Sequence, residues 1–78
     1  MTEADLDLDI TGEVCPMTFV RAKLALETLA IGQVLNIRLR DGEPRYNVPR
    51  AIRDHGHEIL SLHQIEDDLF ELVIRKRR

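Results

Sequence analysis

The strongest constraint on this chain is the way its hydrophobic period switches along the sequence. Asp5 to Ile10 reads D-L-D-L-D-I, a strict alternation that marks a strand with one buried and one wet face. Thr11-Gly12-Glu13 breaks the alternation. From about Met17 to Ala30 the period becomes helical, with Phe19, Ala22, Leu26, Leu29 and Ala30 on one stripe and Arg21, Lys23 and Glu27 elsewhere. Gly32 suits a stop. Gln33 to Arg40 alternates again, placing Leu35, Ile37 and Leu39 opposite Asn36, Arg38 and Arg40. Asp41-Gly42-Glu43-Pro44 reads as a loop, Asn47 as an N-cap, and Val48 to His55 as a short second helix closed by Gly56. His57 to Ile65 is a strand of imperfect alternation and Asp67-Asp68 a turn. Leu69 to Lys76 is the last strand, with Phe70, Leu72 and Ile74 inward.

The order is therefore strand, helix, strand, helix, strand, strand. Helical crossovers make the first three strands parallel with right-handed connections, and the last two strands form a hairpin. This predicts a two-layer α/β sandwich, βαβαββ, with two helices on one face of a four-stranded mixed sheet. With 78 residues there is material for one small core, so residues 1–78 are expected to be one domain, frayed at 1–4 and 77–78.

Composition removes several functions. Aromatics are 4% and Trp is absent, too few rings for a platform that stacks single-stranded nucleic acid. The net charge of −3 gives no overall pull toward a polyanion. Apolar runs never exceed three residues, as in Leu72-Val73-Ile74, and the acidic start has no apolar stretch behind it. Neither a membrane span nor a signal peptide is expected, which leaves a cytoplasmic protein. The single cysteine, Cys15, excludes an internal disulfide and a Cys-rich zinc site and fits a reducing compartment.

Cys15 is the residue with the most chemistry to offer. It stands before Pro16, where a loop enters the first helix. Free N–H groups and the positive end of the helix dipole there favour a thiolate, and equally a persulfide anion. The competing reading is a small buried hydrophobe. A Cys–His hydrolase is disfavoured, because His55, His57 and His63 all lie in the second half and His55 and His57 should lie at the sheet edge opposite the strand-to-helix loops, so the three read most simply as surface or cap residues. His55-Gly56-His57 lacks a third ligand for a metal. The Asp41 loop should share the edge of Cys15, since strand-to-helix loops converge outside the strand C-termini. Arg45 and Tyr46 read more simply as a solvated turn. The basic Arg75 to Arg78 cluster reads as charge on the open sheet face, near Asp5, Asp7 and Asp9 with Arg38 and Arg40. Met17, Val20 and Leu24 form a second apolar stripe, either packed against the second helix or exposed as a docking patch.

The run Leu8-Asp9-Ile10-Thr11-Gly12-Glu13-Val14-Cys15-Pro16, the amphipathic helix after it and the Asp41…Asn47-Val48-Pro49 segment resemble the TusA/SirA-like family of small sulfur-carrier proteins. The resemblance covers nearly the whole chain and implies the sheet order 1-2-4-3, with the last strand antiparallel to the others. In that family the cysteine of a Cys-Pro-x-Pro motif accepts sulfane sulfur as a persulfide and relays it. By resemblance, then, Cys15 is catalytic, in sulfurtransferase-type relay rather than small-molecule turnover. Pro16, Thr18 and Asp41 make its surroundings, Lys23 and Asp41 match a basic helix position and an acidic loop residue of the family as partner-contact or transfer candidates, and Met17, Val20 and Leu24 join them where their stripe is the docking patch. Thr18 stands where a second proline is expected, and so keeps its N–H and adds a hydroxyl. The implied partners are a protein sulfur donor, of cysteine desulfurase or rhodanese type, and a protein acceptor. No cofactor, metal, membrane or nucleic acid is called for. Two other functions compete: a non-catalytic interaction or regulatory module of the same fold, and a nucleic-acid binder using the basic C-terminus.

Overall fold

The structure is a computed structural model that describes residues 4–12 and 17–78. Its elements are β1 (Leu6–Asp9), α1 (Met17–Glu27), β2 (Val34–Arg40), α2 (Glu43–Asp54), β3 (Glu58–Glu66) and β4 (Leu69–Arg75). The sheet order is β1-β2-β4-β3, with β1 parallel to β2 and β4 antiparallel to both of its neighbours. Both the element order and the mixed sheet are those predicted from the switching period.

The alternating strands explain the core. Leu35, Ile37 and Leu39 of β2 stand directly opposite Ile74, Leu72 and Phe70 of β4, and all six are buried. Residues directly opposite share a face, so the pairs form one apolar ladder. Burying each side chain of this size is worth about 1.5–3 kcal/mol. Ala22 and Leu26 of α1 and Val48 and Ile52 of α2 close over the ladder, with Ile10 beyond the end of β1. The two helices also pack against each other.

Three expectations need correction. First, α2 begins at Glu43, not Val48. Gly42 is its N-cap, Pro44 occupies the first turn, and Asn47 and Pro49 lie inside the helix. Pro49 cannot donate to the carbonyl four residues back. It is tolerated because it is buried with Val48 and Ile52 on the core-facing side, and packing outweighs propensity. Second, α1 stops at Glu27. The Thr28 and Leu29 N–H groups bond back three residues, to the Ala25 and Leu26 carbonyls, which tightens the last turn. The Gln33 side chain then accepts from the Ala30 N–H at 2.7 Å, and Ala30 is exposed rather than in the core. Third, the Arg75–Arg78 cluster does not meet β1, because β2 lies between. Arg75 and Arg77 sit 3.5 and 3.4 Å from Glu58 of β3, and the Lys76 ammonium donates to the Leu29 carbonyl at 2.7 Å. The broken alternation of β3 also has a cause: its register shifts between Ile59 and Ser61 and again between Gln64 and Glu66.

Gly42 opens α2 at φ 97°, ψ −144°, a region close to glycine-only. A Cβ added there would meet nothing within 4 Å, so the cost of Gly42→Ala is backbone strain alone. We expect Gly42→Ala to lose about 1–3 kcal/mol in urea unfolding with an unchanged m-value.

Candidate functional site

The edge formed by the C-terminal ends of β1 and β2 is built from short polar contacts. Pairing continues past β1 through the Ile10 N–H to the Arg38 carbonyl, 3.0 Å. Asp9 then turns the chain: its Oδ1 accepts from the Thr11 N–H at 2.9 Å and the Thr11 hydroxyl at 2.6 Å. These two bonds hold the Asp9 carboxyl below its ordinary pKa, with smaller help from Arg38 and Arg40. Arg40 ties the turn to the neighbouring loops. Its Nε donates to the Thr11 carbonyl at 3.1 Å and its Nη1 to Asp68 at 2.9 Å. The Asp41 N–H in turn donates to the Asp68 carbonyl at 2.9 Å. The Thr11 turn and the Asp41 loop thus share one edge, joined through Arg40 and the β3–β4 turn.

Cys15 and Pro16 lie outside the described residues, in the interval 13–16 between Gly12 and Met17. The other candidates are placed. Thr18, in the first turn of α1, is fully buried, and its hydroxyl has no partner among the described residues. Asp41 accepts from the Gly42 N–H at 2.8 Å and from Arg45 Nη1 at 3.3 Å, one turn along α2. Met17, Val20 and Leu24 are 44%, 39% and 55% exposed, so the second stripe faces outward instead of packing on α2. Lys23 is exposed on the same helix.

A family model described as Sulfurtransferase TusA matches residues 6–76. The chain belongs to the TusA family. A candidate sulfur carrier protein of Archaeoglobus fulgidus is 41% identical over 76 residues, covering 96% of this chain and 85% of that protein. Another, of Neisseria meningitidis, is 34% identical over 70 residues, covering 90% and 93%. Among solved structures, a SirA-like protein of Desulfitobacterium hafniense superposes with a TM-score of 0.80 at 24% identity, over 94% of this chain and 99% of that one. That likeness supports the fold.

Within this TusA-family chain, two contacts escape a reading of the sequence. Arg45 is not a free turn residue: its guanidinium lies 4.3 Å from the centre of the Phe70 ring and 5.2 Å from that of Tyr46. The four-residue spacing from Asp41 signals the ion pair only once α2 is started at Glu43. His55, expected at the edge opposite the strand-to-helix loops, reaches the start of α1 instead. Its ring packs in a tilted arrangement on Phe19, in the first turn of that helix, at 5.2 Å between centroids and 34° between planes. Its distance to Cys15 lies outside the described residues. His63 is on the open face, 3.2 Å from Glu71. Among the described residues no cluster of His, Cys, Asp or Glu could hold a metal, and no helix is long and apolar enough to cross a membrane.

Two outcomes follow from this geometry. Thr11→Val should raise the Asp9 pKa toward its ordinary value, read by carboxyl NMR titration. The depressed folded-state pKa means the Asp9–Thr11 turn stabilises the protein above the unfolded pKa and loses that contribution as pH falls through the folded value. Thr18→Val removes a buried hydroxyl and should leave stability unchanged or raise it by about 1 kcal/mol. A loss of that size in urea unfolding would instead mean that the hydroxyl is hydrogen-bonded in the folded protein.

Proposed function

We propose that this protein carries sulfane sulfur as a persulfide on Cys15 and relays it from a donor protein to an acceptor protein. The observation that carries the reading is the match to the TusA family over residues 6–76 in a chain whose only thiol is Cys15. The chemistry needs little more than a reachable thiolate. Cys15 Sγ attacks the terminal sulfur of a donor Cys–S–S–H, a new S–S bond forms, and the donor thiolate leaves with the electron pair of the old one. In the second half an acceptor nucleophile attacks the terminal sulfur and the Cys15 thiolate leaves. No net oxidant or cofactor enters. Pro16, Thr18 and Asp41 form the surroundings of the sulfur in this reading.

A relay between proteins draws its specificity from docking rather than from a pocket. The exposed Met17, Val20 and Leu24 stripe with Lys23 beside it supports docking on α1, since small apolar anchors next to charge suit a transient interface. The Asp41 loop, pinned to the neighbouring turns, supports a firm wall on the other side. The sulfur donor of this reading is a desulfurase- or rhodanese-type protein, and the compartment is the cytoplasm.

Incubation with a cysteine desulfurase and cysteine should add the mass of one sulfur atom, and Cys15→Ala should abolish the gain. No gain in the wild-type chain with any such donor would favour a non-catalytic module of the same fold. Val20→Glu and Lys23→Glu should slow loading by about tenfold each, an effect of about 1.4 kcal/mol on the encounter, with an unchanged circular dichroism spectrum. Arg77→Ala should leave loading unchanged, because Arg77 pairs with Glu58 of β3.

A further inference from the structure

A half-open groove of about 160 Å³ runs between α1 and the turn that joins α2 to β3. Its apolar floor is Phe19, Leu26 and Ile52. Around it stand Lys23, His55, His57, Lys76 and Arg78, with Glu27 the one acid. Among the described residues none of Lys23, Lys76 and Arg78 is paired with a carboxylate. Three cations converging against the single carboxylate of Glu27 leave an excess of positive charge that raises the free energy of the empty site, and an anion placed among them lowers it.

The donors are positioned by the backbone. The Arg77 N–H points at His57 Nδ1 at 3.2 Å, which leaves the proton of a neutral His57 on Nε2 as a donor. Gly56, at φ 89°, has no Cβ, and the Arg78 side chain occupies that space: its Nε lies 2.7 Å from where a Cβ would stand. Lys76 is anchored by its bond to the Leu29 carbonyl. His55 is held against Phe19 and so supports the floor.

We propose that this groove binds a small amphipathic carboxylate, its short aliphatic or aromatic part on Phe19, Leu26 and Ile52 and its anionic head near Lys23, His57 and Arg78. The size follows from the volume, room for about five water-sized groups. The class follows from the pairing of an apolar floor with a cationic rim, which favours neither a bare anion nor an apolar molecule alone. Burial, and then Lys76, His55 and Arg78, hold His57 below its ordinary pKa. Lys23 and Glu27 face the groove from α1, His55 from the end of α2, and Lys76 and Arg78 from the tail. An anion bound among these groups raises the His57 pKa, so binding takes up protons and tightens as pH falls from 8 to 6.

Two-dimensional NMR of the full chain tests this with hexanoate and benzoate as probes. Expected are saturable shifts at Phe19, Leu26, Ile52 and His57 with a Kd of about 1–10 mM. Acetate and hexylamine should each bind at least about tenfold more weakly, Lys23→Gln and Arg78→Gln should weaken hexanoate, and binding should be tighter at pH 6 than at pH 8. Absence of saturable shifts with both probes, equal binding of acetate or of hexylamine, or insensitivity to both substitutions would overturn the proposal. So would saturation of the groove by the peptide acetyl-Glu-Phe-Glu-amide but not by hexanoate, which would make it a docking site for an acidic segment. Cys15→Ser protein should bind the probes as the wild type does, so this result and the sulfur-loading result stand or fall separately.

Discussion

The β2–β4 pairing is the interaction on which the rest depends. Three apolar pairs, Leu35 with Ile74, Ile37 with Leu72 and Leu39 with Phe70, place six buried side chains on one face of the two central strands. A one-residue slip in that register would turn the whole set toward solvent, so the ladder specifies pairing as well as stabilising it. It also sets where β1 and β3 attach, and hence which loops share an edge. Both helices pack down on it through a few small or branched residues. Ala22 is fully buried in the first helix, where any larger side chain would have to push the helix off the core.

That arrangement sets two distinct surfaces around the first helix. One edge gathers the Thr11 turn, the Asp41 loop and the β3–β4 turn through Arg40 and Asp68. Next to it the first helix offers an exposed apolar stripe with Lys23 beside it. The groove near Gly56 lies on the other flank of the same helix, lined in part by Lys23 and Phe19. Lys23 therefore stands on two surfaces, beside the exposed Met17, Val20 and Leu24 stripe that we propose docks partners and on the rim of the groove. On the two proposals together, an occupant of the groove and a docking protein would compete for Lys23.

Much of this is legible in the residues themselves. Strict alternation in D-L-D-L-D-I and around Leu35, Ile37 and Leu39 marks the strands and their buried sides. The helical period between Phe19 and Leu26 marks the first helix. The prolines and Asn47 mislead at the second helix, because local punctuation suggests a loop where burial of Val48, Pro49 and Ile52 carries a helix across a proline. The end of the first helix is overrun because Leu29 keeps the apolar period, while the backbone has already tightened its last turn.

The sequence alone determined the element order, the inward face of each alternating strand, the single thiol and the family likeness, because all of these are properties of neighbouring residues or of a linear pattern. Only the tertiary structure decided which charges meet. Arg75 and Arg77 reach Glu58 because β4 lies beside β3, Arg45 lies over Phe70, and His55 lies on Phe19. It also decided that the Met17, Val20 and Leu24 stripe faces outward, and that Lys23, His57 and Arg78, distant in sequence, surround one groove. The reason is physical: a side chain's period along the chain assigns it to a face, but its partners depend on which strands and helices pack beside that face, and that is settled by the register of the core.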